Sequence, residues 1–598
     1  MNIITLNTNR SERDTVLTFG GLCRQLSAGA GELSYDENMT DRYYPFLASG
    51  GDSVLVREDL GRCYGLLAKD AIARVSGVGE GESVACRLYF GEKDTGLVLT
   101  PGEKQLVSMG TKIIIFPDNM YYDTYSGESG SLESYFTTEE GVNVRYTLTR
   151  LDASDYDYDT SPTAPESPSD GALWCDTSSS PAVLKVYSES SGSWVGVESV
   201  YVKISYPGIG RSFSEGDGVE ISGSILEDLN NVSVIMAKDE DFIIVVGMVD
   251  GEKIQSTPLT ISRRVPVMDF VTECDNRLWG CRWGLDNSGN FVNEIYASKL
   301  GDPFNWQCYE GISTDSYRAS LGSDGPFTGA VTYLGYILFF KENMLHKVFG
   351  TKPANFQITG LAVRGVMEGC HRSLCIIDEI LYYAGVEGIL AYDGSLPYSV
   401  SEKLGESVLR DVICGSGAYS LYVSACDETG ERQLYVYNTR HGIWHRYSPR
   451  DIEAICNYKG NVYYAARGGL YVIDLADSER EEIFTLFDGA RDVTAESWCF
   501  ETGEMAPRDG YHSYVTKVQL RVKVERGATF RVEVKCSENV PYKTVGVVTP
   551  TADRLFTIPV ITGRSHSLKL RLSGKGRVII YSVGRSIERV SEHTGGDI

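Results

Sequence analysis

Few residues of this chain combine a type and a spacing that chemistry requires. The tightest group of Cys and His residues is Cys370, His371 and Cys375. Thiolates and imidazoles are zinc ligands, but a structural zinc site takes four of them, and no fourth follows here at a suitable spacing. We therefore interpret the group as two structural thiols beside a surface histidine.

Three aspartates lie two residues apart, at Asp155, Asp157 and Asp159. In an extended segment this spacing places all three carboxylates on one side. Carboxylate oxygens are the ligands that calcium prefers. However, no glycine-anchored calcium loop follows, and this favours an acidic, solvated loop.

Two aromatic groups could also serve a site. Trp174 and Trp194 could stack on the face of a sugar ring, or they could form the small core of their own module. His441 and His445 flank Trp444, and a turn at these positions accounts for the two histidines equally well. Both alternatives for the tryptophans stay open at this point.

The motifs of the common catalytic families are missing from the sequence. It contains neither the Gly-x-Ser-x-Gly elbow of serine hydrolases nor a Gly-x-x-x-x-Gly-Lys-Ser/Thr phosphate loop. The segment 77–81 carries an acid where a phosphate would bind, so we interpret it as a turn. Carboxylates are abundant, but none forms an identifiable glycosidase pair. We therefore nominate no catalytic, cofactor-binding or metal-binding residue, and we expect a protein that is not an enzyme.

Composition indicates a globular β protein. The chain has 598 residues, 42% of them hydrophobic, with 37 Tyr and 63 Gly. These residues favour strands and tight turns. The 14 Cys are scattered singly, which favours buried thiols in a reducing cytosol over a disulfide scaffold. We expect neither a secretory signal nor a membrane-spanning helix.

The net charge of −25 bears on possible partners. A protein that wraps nucleic acid needs a basic surface, so tight DNA binding is not expected. An acidic surface suits a wall that DNA passes without adhering, because like charges repel.

The segment 276–306 predicts the unit around which the chain is organised. Its first part alternates in a period of two, which gives a strand with two distinct faces. The turn formers of residues 285–290 then predict a second strand folded back beside the first. Pro303 ends the hairpin because proline cannot donate to a ladder. We interpret this hairpin as part of a propeller blade.

An internal repeat supports that interpretation. Residues 381–389 align without a gap with residues 462–470, and the related segment 421–425 lies half-way between them. With residues 337–340 before them, the spacing is about 40 residues, the period of a four-stranded propeller blade. We count four or five such units between 270 and 487, and one or two more between 50 and 125, which predicts six or seven blades. Two unrelated β-sandwiches with chance similarity are the alternative.

These patterns predict an all-β fold: a β-propeller with an inserted small β domain and a C-terminal β-sandwich. The alternation in three late segments, 518–524, 530–534 and 568–572, predicts the sandwich. The predicted domains are an N-terminal arm (1–50), the first part of the propeller (51–139), inserted β modules (140–263) with an acidic Ser/Pro linker (152–170), the remainder of the propeller (264–487) and the sandwich (488–598). Residues 595–598 are expected to form a loose tail.

Several motifs, in this order, resemble the nozzle and hub proteins of short-tailed phages, including the DNA-stabilisation type of tail accessory protein. The residues that carry the resemblance lie in segments 20–22, 37–39, 277–279, 293–298 and 301–306, and in the C-terminal segment 568–581. The segment 171–195 resembles a small module of phage tail and fibre proteins. The family has no catalytic motif whose residues could be carried over to this chain.

The resemblance implies a structural protein of the virion tail, assembled in the host cytoplasm. It would form a ring, often of six copies, that contacts the portal, the adaptor and fibre proteins. Such a ring would extend the DNA channel, retain the genome and release it at ejection, with no cofactor and no sequence-specific contact to DNA. The main alternative is a propeller that binds or cleaves host glycans during attachment; a cellular propeller scaffold is a further one. Fold alone does not decide among them.

Overall fold

The computed structural model describes residues 11–78, 85–405, 408–487, 489–493, 497–505, 513–525, 527–536, 539–549, 554–559 and 568–589. Strands predominate in these residues, and their one α-helix is α1 (Asp477–Leu486), which confirms the all-β class. No helix among them is both long and apolar enough to span a bilayer. The chain forms two compact units: unit 1 falls within 1–103, 341–343 and 362–598, and unit 2 within 104–340 and 344–361.

Unit 1 opens with five strands, four of which pair with later parts of the chain. They are β1 (Ser11–Val16), β2 (Leu33–Glu37), β3 (Met39–Thr40), β4 (Leu47–Ser49) and β5 (Ser53–Arg57). The remaining strand, β3, pairs with β4. The next four strands form an antiparallel sheet of their own, comprising β6 (Arg62–Ala68), β7 (Ile72–Val78), β8 (Ala85–Phe90) and β9 (Lys93–Leu99).

Unit 2 begins with a second four-stranded sheet. Its strands are β10 (Gln105–Met109), β11 (Lys112–Phe116), β12 (Met120–Asp123) and β13 (Ser129–Ser131). The turn at residues 117–119 joins β11 and β12 into a hairpin, in which Ile115 pairs with Met120.

Twelve strands follow in two further sheets. They are β14 (Ser134–Thr137), β15 (Val144–Thr149), β16 (Asp159–Ser161), β17 (Leu173–Asp176), β18 (Val183–Ser188), β19 (Ser193–Gly196), β20 (Tyr201–Ser205), β21 (Gly218–Ser222), β22 (Val232–Asp239), β23 (Phe242–Val246), β24 (Lys253–Gln255) and β25 (Thr260–Arg263). Strands β16 to β19 form one sheet, and the other eight form the second. We call these twelve strands the inserted unit. Its first strand starts before residue 140, the predicted boundary.

One core joins both sheets of the inserted unit. Cys175 and Leu184 of the small sheet are buried with Tyr146, Val202 and Ile243 of the large one. The small sheet is too short to bury a core alone, and this shared core accounts for its stability.

The remainder of unit 2 consists of two four-stranded sheets. The first comprises β26 (Phe270–Cys274), β27 (Arg277–Leu285), β28 (Phe291–Ala297) and β29 (Tyr317–Ser320), and the second comprises β30 (Phe327–Tyr333), β31 (Tyr336–Lys341), β32 (Met344–Phe349) and β33 (Gln357–Leu361). The predicted hairpin is confirmed, because Leu285 pairs with Phe291 at its tip. The two faces of β27 enter different cores: Leu278 packs with β10–β12, and Trp279 with β30–β32.

Unit 1 resumes with two four-stranded sheets and one of five strands. They contain β34 (Cys375–Ile377), β35 (Ile380–Gly385), β36 (Gly388–Tyr392) and β37 (Tyr398–Ser399); β38 (Arg410–Ser416), β39 (Ser420–Cys426), β40 (Arg432–Asn438) and β41 (Ile443–Tyr447); and β42 (Ile452–Tyr458), β43 (Asn461–Ala466), β44 (Gly469–Ile473) and β45 (Arg491–Val493). Strand β5 completes the last sheet by pairing with both β44 and β45. Short 3₁₀ turns lie at Glu227–Leu229, Pro353–Asn355, His371–Ser373 and Glu402–Leu404.

The sequence repeat corresponds to equivalent strands. Its aligned segments form β35–β36 and β43–β44, while residues 421–425 lie in β39 and residues 337–340 in β31. In three of these sheets, and in the β26–β29 sheet, the turn between the first and second strands has two consecutive residues with positive φ: Leu334-Gly335, Asp378-Glu379, Lys459-Gly460 and Asp275-Asn276. A two-residue turn in which both residues have positive φ has a backbone twist that matches the right-handed twist of the strands on either side.

The C-terminal strands form two sheets that share one core. They are β46 (Trp498–Thr502), β47 (Ser513–Val524), β48 (Thr529–Lys535), β49 (Lys543–Val548), β50 (Arg554–Pro559), β51 (Lys569–Lys575) and β52 (Val578–Arg589). The predicted alternation is confirmed: Val518, Leu520, Phe530, Val532 and Leu570 all point into this core. Residues 595–598 lie outside the described residues.

Strands from residues 11–49 are part of these C-terminal sheets. Strands β1 and β4 pair with β52, and β2 pairs with β46. Phe19, Leu33, Met39 and Leu47 are buried in the shared core. Four strands of residues 11–49 are therefore packed into the two C-terminal sheets, where the sequence predicted an N-terminal arm.

Candidate functional site

Asn305 lies in the segment that carries the resemblance, and its side chain joins two parts of unit 2. Its Oδ1 accepts a hydrogen bond from the Gly218 amide at 2.9 Å. Its Nδ2 donates to Asp217 Oδ1 at 3.0 Å and to Asp302 Oδ2 at 2.6 Å. Gly218 begins β21 of the inserted unit, whereas residues 302–305 follow β28. The buried amide therefore fastens the inserted unit to the β26–β29 sheet, and we call this contact the Asn305 clamp.

Asp217 is the second centre of the clamp. Its Oδ2 accepts from Arg263 Nη1 at 2.6 Å and from the Ser214 amide at 2.9 Å. The Lys299 ammonium donates to the Gly216 carbonyl at 3.1 Å, on the same loop. These donors offset the cost of burying the Asp217 carboxylate, which is large for an unpaired charge.

Arg277 orders the loop that presents the clamp. It is 2% exposed. Its guanidinium donates to the carbonyl oxygens of Ser298 at 2.8 Å, Asp315 at 2.6 Å and Ser313 at 2.8 Å. Burial lowers the pKa of this guanidinium. The planar fork of Arg, with five donors, satisfies several carbonyls at once.

Aromatic packing completes the clamp. The Trp306 indole is buried and donates to the Pro303 carbonyl at 3.0 Å. Phe304 packs edge-on against Tyr121, with ring centroids 5.1 Å apart, and the Arg263 guanidinium lies 5.3 Å from the centroid of the Phe304 ring. The 301–306 segment thus contacts β12, the inserted unit and its own sheet.

A pocket of about 210 Å³ lies beside the clamp. Both sides of the clamp contribute to its wall, which is formed by Glu220, Val232, Arg264, Pro266, Val267, Asp286, Asn287, Ser288, Tyr296, Trp306, Gln307, Tyr309 and Arg318. We call it the clamp pocket. No motif of the sequence predicted it, because its residues come from seven separate segments.

The Cys and His group does not assemble as a ligand set. His371 Nε2 lies 2.6 Å from Glu103 Oε1, and both thiols are buried. Burial raises the pKa of Cys370 and raises that of Cys375 to about 12, so both are protonated near neutral pH. Within the described residues, no group of three or more His, Cys, Asp and Glu could hold a metal ion. Ten of the 14 cysteines are buried, in keeping with the thiols expected from the sequence.

The three aspartates and the two tryptophans have separate surroundings. Asp155, Asp157 and Asp159 are all exposed. Trp174 and Trp194 pack edge-on with centroids 5.3 Å apart, and the Trp174 indole donates to the Ser161 carbonyl at 3.0 Å. The two tryptophans thus pack against each other on the small sheet, with Trp174 buried and Trp194 half-buried.

The two histidines beside Trp444 differ from each other. His441 lies in the turn between β40 and β41 and stacks on Tyr44 with centroids 3.9 Å apart. His445 lies within β41 and is buried, with Nδ1 at 2.5 Å from Asp36 Oδ2. The turn interpretation is therefore wrong for His445. Its partner Asp36 is distant along the chain, so the sequence alone did not reveal the contact.

His445 and Asp36 form a coupled buried pair. Burial alone would lower the pKa of His445, but the Asp36 carboxylate outweighs this effect and raises it. Burial raises the pKa of Asp36. The pair therefore holds a proton more tightly than the same groups do in water.

A charged cluster in unit 1 also escaped the sequence analysis. Arg372 Nη2 lies 2.9 Å from Asp411 Oδ1, and Arg372 Nη1 donates to the Glu453 carbonyl at 3.1 Å. Arg432 also pairs with Asp411. The cluster lies where β38 and β42 begin, and its opposite charges satisfy one another. No spacing in the sequence relates these residues.

Comparison with known proteins gives no family. No family model and no curated protein sequence matches the chain. Solved structures that are similar include an exo-β-1,3-galactanase from Phanerochaete chrysosporium, with 10% identity, coverage of 54% of this chain and 95% of that one, and a TM-score of 0.20. Others are the acylaminoacyl peptidase of Pyrococcus horikoshii (11% identity, 56% and 57% coverage, TM-score 0.24) and PorZ of the type-IX secretion system of Porphyromonas gingivalis (11%, 83% and 75%, TM-score 0.22). At these TM-scores the similarities support no conclusion about fold or activity.

Proposed function

We propose that this chain is a structural protein of a phage virion, a nozzle- or hub-like ring component of the tail. The observation that carries the proposal is the role of the residues behind the resemblance. Asn305 holds the inserted unit on the β26–β29 sheet, and Arg277, Asp302 and Trp306 hold in place the loop that carries Asn305. Residues engaged in this way build a rigid structural part.

We further propose that the seven repeated sheets are the blades of one β-propeller. Within unit 1 the first strands of consecutive sheets lie against each other, β34 against β38, β38 against β42, and β42 against β6. Within unit 2 the same holds for β10, β26 and β30. Strand β5 comes before the β6–β9 sheet in the chain, but it pairs as a strand of the β42–β45 sheet. In propellers a strand shared in this way joins the first and last blades and closes the ring. A sheet whose two faces are both apolar needs a neighbour on each side, as Leu278 and Trp279 illustrate.

The charge of the chain fits a component of a DNA conduit. A net charge of −25 repels the phosphate backbone, so DNA would pass without sequence-specific contact. In this proposal the ring contains several copies of the chain, six in the simplest case, and contacts the portal, the adaptor and fibre proteins. It is assembled in the host cytoplasm and carries no cofactor.

Cryo-electron microscopy of virions that contain the full chain tests the proposal. We expect a ring of copies on the tail axis, directly below the adaptor, with the inserted unit placed identically in each copy. Recovery of the chain only as a free monomer, outside the particle, would refute the virion role. A hydrolysis assay on a panel of glycans tests the glycan-cleaving alternative, since a conduit protein leaves glycans intact.

A further inference from the structure

Apart from Trp306, the clamp pocket is lined by groups that the clamp itself does not use. The lining contains two cations, Arg264 and Arg318, and two anions, Glu220 and Asp286, so its formal charges cancel. Arg318 also pairs with Glu294, outside the lining, at 2.8 Å. A pocket without net charge provides no attraction for a phosphate, a carboxylate or an ammonium group. The balance favours an uncharged ligand.

Two buried polar atoms in the lining have no hydrogen-bond partner among the described residues. They are Gln307 Oε1 and Arg264 Nε. Arg264 Nε lies 4.0 Å from Glu220 Oε2, which is beyond hydrogen-bond distance. Leaving such atoms unsatisfied is costly, so a water molecule or a ligand hydroxyl that reaches them from the pocket is stabilised there. One atom accepts and the other donates, and a hydroxyl group can serve either one.

An aromatic ring stands at the rim. Tyr309 is 52% exposed, and its hydroxyl donates to the Trp306 carbonyl at 3.4 Å, which leaves the ring accessible. Exposed Val232 and Val267 add apolar surface to the same lining. A ring of this kind can cover the C–H face of a small cyclic ligand.

The hairpin turn gives the opposite wall a fixed shape. Asp286 Oδ1 accepts from the backbone amides of Ser288 at 2.9 Å and Asn290 at 2.8 Å. These bonds lower the pKa of Asp286, which remains ionised and holds the turn in place. Asp286 is therefore unsuited to act as the protonated acid that glycoside cleavage requires.

From these features we infer that the clamp pocket binds one uncharged sugar residue of a glycan, without cleaving it. A sugar ring combines an apolar C–H face with hydroxyl groups that donate and accept. The volume of about 210 Å³ is below the roughly 300–1,000 Å³ that is typical for drug-sized ligands, so a single ring fits the space better than a longer chain. This inference is independent of the ring assembly proposed above.

The test is a glycan array probed with the purified full chain, followed by titration calorimetry with the neutral glycans that it retains. Adenosine serves as a probe of another uncharged, ring-containing class. The variants are Tyr309→Ala, Tyr309→Phe and Gln307→Leu. Tyr125→Ala is the matched control, since Tyr125 is 90% exposed in the same unit and does not line the pocket.

We expect the wild-type chain to retain at least one neutral glycan. Tyr309→Ala should weaken its binding roughly tenfold, which corresponds to about 1.4 kcal/mol, because the stacking face is lost. Tyr309→Phe keeps the ring and should bind within about twofold of wild type, while Gln307→Leu should weaken binding because a polar contact is lost. Tyr125→Ala should bind as wild type does.

Three outcomes would overturn the inference. They are retention of no neutral glycan, equal binding by wild type and Tyr309→Ala, and binding of adenosine in place of every glycan. None of them bears on whether the chain occupies a ring in the virion, because the variants lie outside the Asn305 clamp. Failure of one proposal is thus distinguishable from failure of the other.

Discussion

The Asn305 amide donates to Asp217 Oδ1 at 3.0 Å, although the two residues lie in loops beside different sheets of unit 2. Both side chains are buried, at 2% and 3% exposure. The contact makes the position of the inserted unit depend on one short segment after β28. That segment contains Asp302, Pro303 and Asn305, whose residue types are typical of loops and turns.

Replacing Asn305 by Ala should loosen the inserted unit locally. The change removes three hydrogen bonds and leaves the Asp217 carboxylate with fewer donors, at a cost of about 3 kcal/mol. The Gly218 amide, which donates to Asn305, should therefore exchange its hydrogen roughly a hundredfold faster. Hydrogen-exchange mass spectrometry of residues 214–218 measures this effect.

Asn143→Ala is the control for that experiment, because Asn143 is an exposed residue of the same inserted unit. Its exchange pattern over residues 214–218 should equal that of the wild type. Equal protection in Asn305→Ala would show that the clamp contributes nothing to holding the unit.

Arg277→Met should lower the melting temperature of unit 2. The substitution keeps much of the side-chain volume but leaves the carbonyls of Ser298, Ser313 and Asp315 without their donor, for which we expect a loss of about 2–4 kcal/mol. Arg467→Met is the control, since its ion pair with Asp451 is solvent-exposed and should contribute about 0–1 kcal/mol. Calorimetric melting distinguishes them; a similar small shift in both would contradict the role given to Arg277.

The His445–Asp36 pair predicts that the stability of unit 1 falls as pH rises. The folded-state pKa of His445 is raised by Asp36, with Asp41 and Asp474 adding in the same direction. Its contribution is therefore complete below the ordinary histidine pKa of about 6.5 and is lost as pH rises through the raised value. The raised pKa of Asp36 acts with the same sign.

Melting of the wild type and of His445→Gln over a pH series measures this effect. The stability difference between them should be largest below about pH 6.5 and should shrink at higher pH. A difference that stays constant, or that grows with pH, would show that the pair does not bind its proton more tightly when folded.

Strand β5 gives a prediction about closure. Val54 is fully buried where β5 joins β44, so Val54→Asp places a charge in an apolar core and should open that edge. Hydrogen exchange at Val472 and Ile473 should then rise towards that of exposed strands. Val98→Asp makes the same change at a site that is 60% exposed and should leave this region protected. Protection of β44 in the Val54 variant would argue against closure by β5.

Much of this architecture could be predicted from local pattern. The alternation in β27 and β47 and the repeat of about 40 residues depend on periods that a sequence displays directly. The first-to-second strand turns were less evident. Leu334 and Glu379 adopt positive φ there without the Asn-Gly or Asp-Gly signature of such turns, because the strands on either side impose the conformation.

Contacts between distant parts of the chain could not be predicted. The pairing of β2 with β46 and the burial of His445 against Asp36 join residues that are hundreds of positions apart. The clamp pocket likewise forms only when the inserted unit meets the β26–β29 sheet. A single sequence shows which residues are unusual, as in the 301–306 segment, but not which residues they meet.

The most direct measurement is the structure of the chain inside the virion, by cryo-electron microscopy of particles purified with their tails. The account predicts several copies, six in the simplest case, closed into a ring around the DNA channel, each containing one wheel of seven blades with β5 completing the seventh. Particles without this chain on the tail axis, or a chain in which the seven sheets separate into unrelated domains, would contradict it.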